Sequence, residues 1–255
     1  LTFYPHPVEV LNASKKIERL TTTNEKLFFL ERLGVERVVV APFDKDVAAL
    51  SPDAFFQRYL IDEFKARRVH VGFDFHFGKA RQGNSEVLRV LCEHEGVELF
   101  VEHPCSLEGL KVSSRLIREL LRNGEIKKAV KYLGYPYILT GQVAKGDGRG
   151  RQLGFPTANL HCAHEKLLPK NGVYVTRVEW QKQNFKSVTN IGVRPTFTNA
   201  TAKVIEVHIL DFDARLYDED LRIEFFERIR DEKQFLSIGD LKMQIGRDIE
   251  LARDT

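Results

Sequence analysis

The rhythm of apolar residues changes once along this chain, near Tyr137, and that change limits the folds open to it. Over residues 1–110, short apolar runs alternate with helix-period segments. Thr22 and Glu25 have capping-box spacing, and the stretch to Leu33 predicts a helix stopped by Gly34. Val35 to Val40 reads as a buried strand. Ser51-Pro52 starts a further helix with Phe55, Phe56, Tyr59 and Leu60 as its apolar surface. A strand around Val69–Val71, a helix from Ser85 to His94 and a strand from Val97 to Val101 follow. Strands separated by helices predict a parallel sheet covered on both faces, with right-handed crossovers. Ser113-Ser114 caps a helix bearing Leu116, Ile117, Leu120 and Leu121, Gly124 interrupts it, and a second helical piece runs to Leu133 and ends near Gly134.

From Tyr137 onward the pattern is strands without long helices between them. The candidates are Tyr137 to Val143, Gly172 to Trp180, Phe185 to Ile191, Lys203 to Asp211 and Leu221 to Arg228. Such a run predicts antiparallel pairing in a small barrel. Phe235 to Ala252 reads as a closing amphipathic helix, capped by Ser237 or Asp240. The expected fold class is therefore an α/β parallel-sheet domain, residues 1–122, a helical linker, 123–136, and a small antiparallel β-barrel domain with a C-terminal helix, 137–255.

Composition narrows the function classes. The 39 basic and 36 acidic side chains nearly cancel, so neither bulk nucleic-acid binding nor membrane attraction is implied. No apolar run reaches membrane-spanning length. The three cysteines, Cys92, Cys105 and Cys162, are scattered without a CxxC, which argues against a disulfide framework or structural zinc and for a cytoplasmic, reducing compartment. Leu1-Thr-Phe-Tyr4 reads as the end of a strand already under way, so a preceding segment is expected.

The chemistry concentrates in Lys145-Gly-Asp-Gly-Arg-Gly-Arg-Gln-Leu-Gly-Phe-Pro-Thr-Ala-Asn159. Gly146, Gly148, Gly150 and Gly154 let a backbone turn its N–H groups toward phosphate, and Lys145, Arg149 and Arg151 add positive charge. Thr157 and Asn159 offer neutral oxygens of the kind a hard cation such as Mg²⁺ accepts. The plain alternative is a flexible basic turn followed by a strand. On the fourth barrel strand, period two puts Ile205, Val207 and Ile209 in the core and Glu206 and His208 on the opposite face. Taken alone, Glu206 reads as a surface carboxylate; beside a phosphate loop it can take the proton of an acceptor hydroxyl. There is no GxxxxGK[ST] and no HRD/DFG set, which excludes the common P-loop and the protein kinases.

The second half resembles the bifunctional bacterial riboflavin kinase/FAD synthetase family. The matching segments are Gly-Arg-Gln-Leu-Gly-Phe-Pro-Thr-Ala-Asn (150–159), Leu-Leu-Pro-Lys-Asn-Gly-Val-Tyr (167–174) and Asn-Ile-Gly-Val-Arg-Pro-Thr-Phe (190–197). Glu206-Val-His-Ile-Leu-Asp-Phe, Leu216-Tyr and Arg230-Asp-Glu-Lys-Gln-Phe extend the match through the whole half. The resemblance implies a barrel that phosphorylates riboflavin to FMN with ATP. It makes Thr157 and Asn159 the Mg²⁺ ligands and Glu206 the base on the terminal ribityl hydroxyl, and it places Arg194 near the flavin. A surface turn braced by Pro195 is the alternative for Arg194, and a rim or core role that for His208.

In the first half, Thr2-Phe-Tyr-Pro-His-Pro7, Gly72-Phe-Asp-Phe-His-Phe-Gly78 and Val112-Ser-Ser-Arg-Leu-Ile-Arg118 resemble motifs of the family's nucleotidylyl-transferase-like FAD synthetase domain. By that resemblance Ser113, Ser114 and Arg118 bind phosphate, and Phe73 and Phe75 contact the flavin. Ser113 is otherwise a plain helix cap, and His6 and His76 read equally as turn residues. Arg115 stands where the family usually has Thr or Ser, and the family's GxFDGVHxGH motif does not occur here. The implied activity is riboflavin to FMN and then FMN to FAD and pyrophosphate, with riboflavin, FMN and ATP as the molecules bound and no nucleic-acid or membrane partner. Two alternatives stand beside it: a kinase with an inactive, scaffold-like first domain, and a flavin- or nucleotide-binding module without turnover.

Overall fold

The computed structural model describes all residues except 13, 15, 16, 147, 196–200 and 255. The chain forms two compact units. The first contains Leu1–Ile17 and Leu27–Val112; the second contains Glu18–Lys26 and Ser113–Thr255.

The first unit carries two parallel strand pairs. Strand β1 (Thr2–Tyr4) pairs with β2 (Val40–Pro42), and β3 (Arg68–Gly72) with β4 (Glu98–Glu102). The second strand is therefore not Val35 to Val40. Its partner has only three residues, and the register Thr2↔Val40 to Tyr4↔Pro42 confines the ladder to 40–42, leaving Val35 42% exposed. Two short antiparallel strands, β5 (Ser106–Leu107) and β6 (Leu110–Lys111), follow.

The helices of this unit are α1 (Pro7–Leu11), most of α2 (Thr23–Arg32), α3 (Lys45–Ala49), α4 (Pro52–Phe55) and α5 (Ser85–Glu95). Ser51 caps α4 through Oγ, accepting from Ala54 N at 3.1 Å, and the helix widens into a π-helix over Phe56–Glu63. Its apolar face meets the strands: Phe55, Phe56 and Tyr59 are buried with Phe77, Leu88 and Cys92, and Phe3 packs edge-on to Tyr59 at 6.0 Å.

In the second unit, α6 (Ser114–Asn123) and α7 (Ile126–Leu133) precede the barrel and pack into it. Ile117, Leu121, Ile126 and Ala129 share a core with Leu139, Tyr174, Ile223 and Phe225. The barrel closes in the order β10-β11-β8-β7-β12-β9. Its strands are β7 (Tyr137–Ala144), β8 (Ala158–Cys162), β9 (Gly172–Trp180), β10 (Gln183–Pro195), β11 (Thr201–Ile209) and β12 (Asp220–Arg230). The sixth strand, β8, is not among the five strand candidates and matches only the strand of the plain alternative. It pairs with β11 over only two residues, and Pro156 precedes it, so it carries little strand signal of its own. Between β7 and β8 the glycine segment winds one helical turn, α8 (Arg149–Leu153), rather than staying a plain turn. The last helix, α9 (Ile238–Asp254), follows a Ser237 cap that accepts from Asp240 N at 3.0 Å. It lays Ile249 and Ala252 over the outward residues Val173, Val175, Val188 and Leu210.

Candidate functional site on the outer face of the barrel

Strand β8 brings the sequence-predicted residues together. Its neighbours are β11 on one side, with Glu206 opposite Asn159 and Val207 opposite Ala158, and β7 on the other, with Ala144 opposite Asn159. Directly opposed residues of antiparallel strands point to the same face. Ile205, Val207 and Ile209 are buried in the barrel core, so Glu206 and Asn159 stand on its outer face. Both are half-buried, and Thr157, one alternation earlier, is exposed.

The glycines divide into two kinds. Gly148 and Gly154 take left-handed conformations at the two ends of α8, with φ of 70° and 89°. Gly146 and Gly150 serve close approach. A Cβ at Gly146 would lie 2.0 Å from Asn159 Nδ2, and one at Gly150 would lie 2.5 Å from the Phe155 carbonyl and 2.9 Å from Thr157 Oγ1. The loop is thus wrapped directly onto the two oxygen-bearing side chains. Not every N–H of the loop is left to face a ligand: Gln152, Gly154 and Phe155 donate to Gly148, Arg151 and Gly150 carbonyls.

His208 braces this wall. Its Nδ1 donates to the Pro156 carbonyl at 2.8 Å, and its ring meets Phe155 edge-on at 5.9 Å. A carbonyl only accepts, so the proton sits on Nδ1, and the histidine holds the Phe155–Thr157 bend. Past the loop, Arg151 shares a cleft of about 380 Å³ with Asp213, Ala214, Arg215 and Tyr217, which the sequence reading did not include. Arg215 lies over the Tyr217 ring at 5.3 Å. Lys145 is exposed at the loop's entry. The side chains of Arg149 and Arg194 lie outside the described residues.

The remaining predicted residues fall elsewhere. Ser113 caps α6, accepting from Leu116 N at 3.3 Å, and Arg118 Nε donates to the Glu18 carbonyl at 3.0 Å. Both belong to the second unit, as does Ser114. Arg115 pairs along the helix with Glu119 at 3.1 Å. In the first unit, Phe73 is exposed under Lys111 Nζ at 4.1 Å, whereas Phe75 packs with Phe77 at 5.5 Å against the core. His76 Nδ1 lies 2.8 Å from the Asp74 carbonyl and 2.9 Å from Arg81 Nη2, and one nitrogen can serve only one of them. His6 caps α1, accepting from Val8 N at 3.2 Å.

Thr157 and Asn159 suit a hard cation. They offer neutral oxygens on the face that carries the Glu206 carboxylate, and the missing side chains at 146 and 150 let the loop backbone close onto them. Among the described residues, no cluster of three or more His, Cys, Asp or Glu forms a metal site of the acidic or thiolate kind.

Comparison with known proteins relates both halves of the chain to described families. Residues 133–255 match the family model described as riboflavin kinase, and residues 1–116 match the one described as FAD synthetase. The bifunctional riboflavin kinase/FMN adenylyltransferase of Haemophilus influenzae is 35% identical over 254 residues, covering 99% of this chain and 82% of that protein. Its namesake from Bacillus subtilis is 36% identical over 251 residues, 97% of this chain and 79% of that protein. A crystal structure from Streptococcus pneumoniae titled as a macrolide-efflux protein has a TM-score of 0.89 and 32% identity, covering 100% of this chain and 82% of that one. Among the described residues of this chain, no helix is long and apolar enough to cross a membrane. With relatives of this identity matched over nearly its whole length, the chain belongs to the bifunctional riboflavin kinase/FMN adenylyltransferase family.

Proposed function

We propose that the protein phosphorylates riboflavin with ATP to give FMN, and adenylylates FMN with ATP to give FAD and pyrophosphate. The observation that carries the first reaction is the outer-face row of Glu206 and Asn159, with Gly146 and Gly150 pressed against Asn159 and Thr157. Glu206 takes the proton from the terminal ribityl hydroxyl. That oxygen forms a bond to the γ-phosphorus, the bond to the β,γ-bridging oxygen breaks, and ADP leaves. Lys145, Arg149, Arg151 and those loop N–H groups of Gly146 to Gly154 that are not bonded within the loop hold the phosphates. The cleft beside Arg151 takes part of the nucleotide, with Tyr217 as its aromatic wall. Thr157 and Asn159 would hold Mg²⁺, which neutralises phosphate charge when bound. Arg194 contacts the flavin from the 190–197 segment.

The second reaction is assigned to the sequence 1–122: Phe73 and Phe75 of the first unit are flavin contacts, and Ser113, Ser114 and Arg118, which the fold groups with the second unit, bind phosphate. The site we assign to FMN formation and the one we assign to FAD formation are separate, and the enzyme works in the cytoplasm.

The test is separation of products after incubating the protein with riboflavin, ATP and Mg²⁺. FMN followed by FAD is expected. FMN alone reduces the first domain to a scaffold, and neither product rejects the enzyme reading in favour of a binding module. Glu206→Gln is expected to cost 10²-fold or more in FMN formation while leaving ATP binding intact, on the order expected for losing a general base. Near-normal turnover removes Glu206 from the chemistry.

A further inference from the structure

Glu206 has an asparagine on each side. Asn159 opposes it on β8 and Asn190 opposes it on β10. Opposed residues share a face, with Cβ atoms about 5 Å apart. An amide, a carboxylate and an amide therefore cross the outer face of the barrel in one row. Asn159 has a reading as a metal ligand; Asn190 has none.

What surrounds Asn190 narrows its role. Along its own strand and on the same face, Val188 is covered by α9, and Gly192 has no side chain. The space above Gly192 is filled from another direction. Glu232 Oε1 lies 2.2 Å from where a Cβ at Gly192 would sit, and Asn190 Nδ2 lies 3.4 Å from that same point. The second oxygen of Glu232 accepts from Asn171 Nδ2 at 3.2 Å. Asn190 thus has two carboxylates as neighbours, Glu206 across the ladder and Glu232 beyond Gly192. A neutral carboxamide with two N–H donors is suited to that place. An apolar side chain would withdraw the donors, and an aspartate would put a third negative charge between the two.

We propose that Asn190 is a positioning residue for phosphoryl transfer, holding the Glu206 carboxylate so that one oxygen faces the acceptor hydroxyl. The proposal rests on the kinase reading of Glu206. It is tested by steady-state FMN formation from riboflavin and ATP with Mg²⁺, comparing wild type, Asn190→Leu, Asn190→Asp, Asn190→Ser and, in parallel, Glu206→Gln. Asn190→Leu is expected to lower kcat about tenfold, the size of effect of withdrawing a donor that bonds the carboxylate in the working complex, with KM for both substrates nearly unchanged. Asn190→Asp should lose more. Asn190→Ser, which keeps a donor, should recover part of the loss. Wild-type kcat in both Asn190→Leu and Asn190→Asp overturns the proposal, and so does a loss confined to KM. Should Asn190→Leu fail to fold, the isosteric Asn190→Asp decides alone. An inactive Glu206→Gln beside normal folded Asn190 variants sinks only the positioning role, whereas an active Glu206→Gln sinks the kinase reading beneath it.

Discussion

At the scale of the residue, the glycine segment does two jobs that its composition does not separate. Its sequence suggested four glycines turned toward phosphate. In the structure Gly146 and Gly150 are instead where the loop backbone touches Asn159 and Thr157. Gly146→Ala must push the Asn159 amide aside, so FMN formation should fall on the order of tenfold to a hundredfold, as a misplacement near 1 Å does. The thermal midpoint should barely move, because the clash falls on one side-chain end. Steady-state kinetics with a melt on the same sample checks both. Tyr174 gives a pH prediction. It is fully buried, and its hydroxyl donates to the Lys170 carbonyl. Burial pushes the phenol from 10.0 up to about 12. A raised folded-state value means that the stabilisation is complete below pH 10 and is lost as the unfolded chain ionises between 10 and 12. Tyr174's share of the stability read from urea titration should therefore hold to about pH 9.5 and fall by about 2–3 kcal/mol by pH 12. Tyr174→Phe should remove that share and leave the part contributed by Tyr137 and Cys162, which burial also raises.

Among the elements, the strands and helices with strong periodicity were legible. Strand β9 runs from Gly172 to Trp180, as its alternation predicts, and the Thr22–Glu25 capping box forms with N···O distances of 2.8 and 3.2 Å. Strand β8 was legible only as the strand of the plain alternative, although it carries Asn159 and Thr157 directly precedes it. Its identity as a strand comes from the neighbours on its two sides, not from its own five residues. The closing helix was visible as amphipathic, but its anchor was not. Asp248, 2% exposed, accepts from the Arg230 guanidinium at 2.7–3.1 Å and from Gln244 at 2.9 Å. Removing it leaves Arg230 without its buried partner. Asp248→Ala should destabilise the second unit by about 3–5 kcal/mol in urea titration, well beyond the cost of a surface ion pair.

On the scale of the whole molecule, the second unit includes a piece of chain from far upstream. Residues Glu18–Lys26 belong with the barrel, and Glu25 explains how. Besides capping α2, its carboxylate accepts from Lys166 Nζ at 2.6 Å and from Thr140 N and Oγ1 at 2.9 and 3.0 Å. Lys166 also donates to the Leu20 carbonyl at 2.6 Å, and both side chains have no solvent exposure. Cutting one partner strands the other as a buried charge. Glu25→Leu or Lys166→Met alone should each cost about 3–5 kcal/mol, and the double variant should recover much of that. A double variant no more stable than the singles would show that the pair is held by something other than mutual compensation. For the same reason, a fragment starting at Ser113 should be less stable than the full chain.

The sequence alone determined what depends on near neighbours in the chain. Period two put Ile205, Val207 and Ile209 inside and Glu206 outside, and caps and turns marked most helix ends. Motif order pointed to the chemistry. Only the tertiary structure decided which distant residues share a face or a charge. It set Asn190, Glu206 and Asn159 in one row, seated Glu232 over Gly192, and joined Glu25 to Lys166 across 141 positions. Such partners are chosen by ladder register and barrel closure, and those depend on the whole core folding at once.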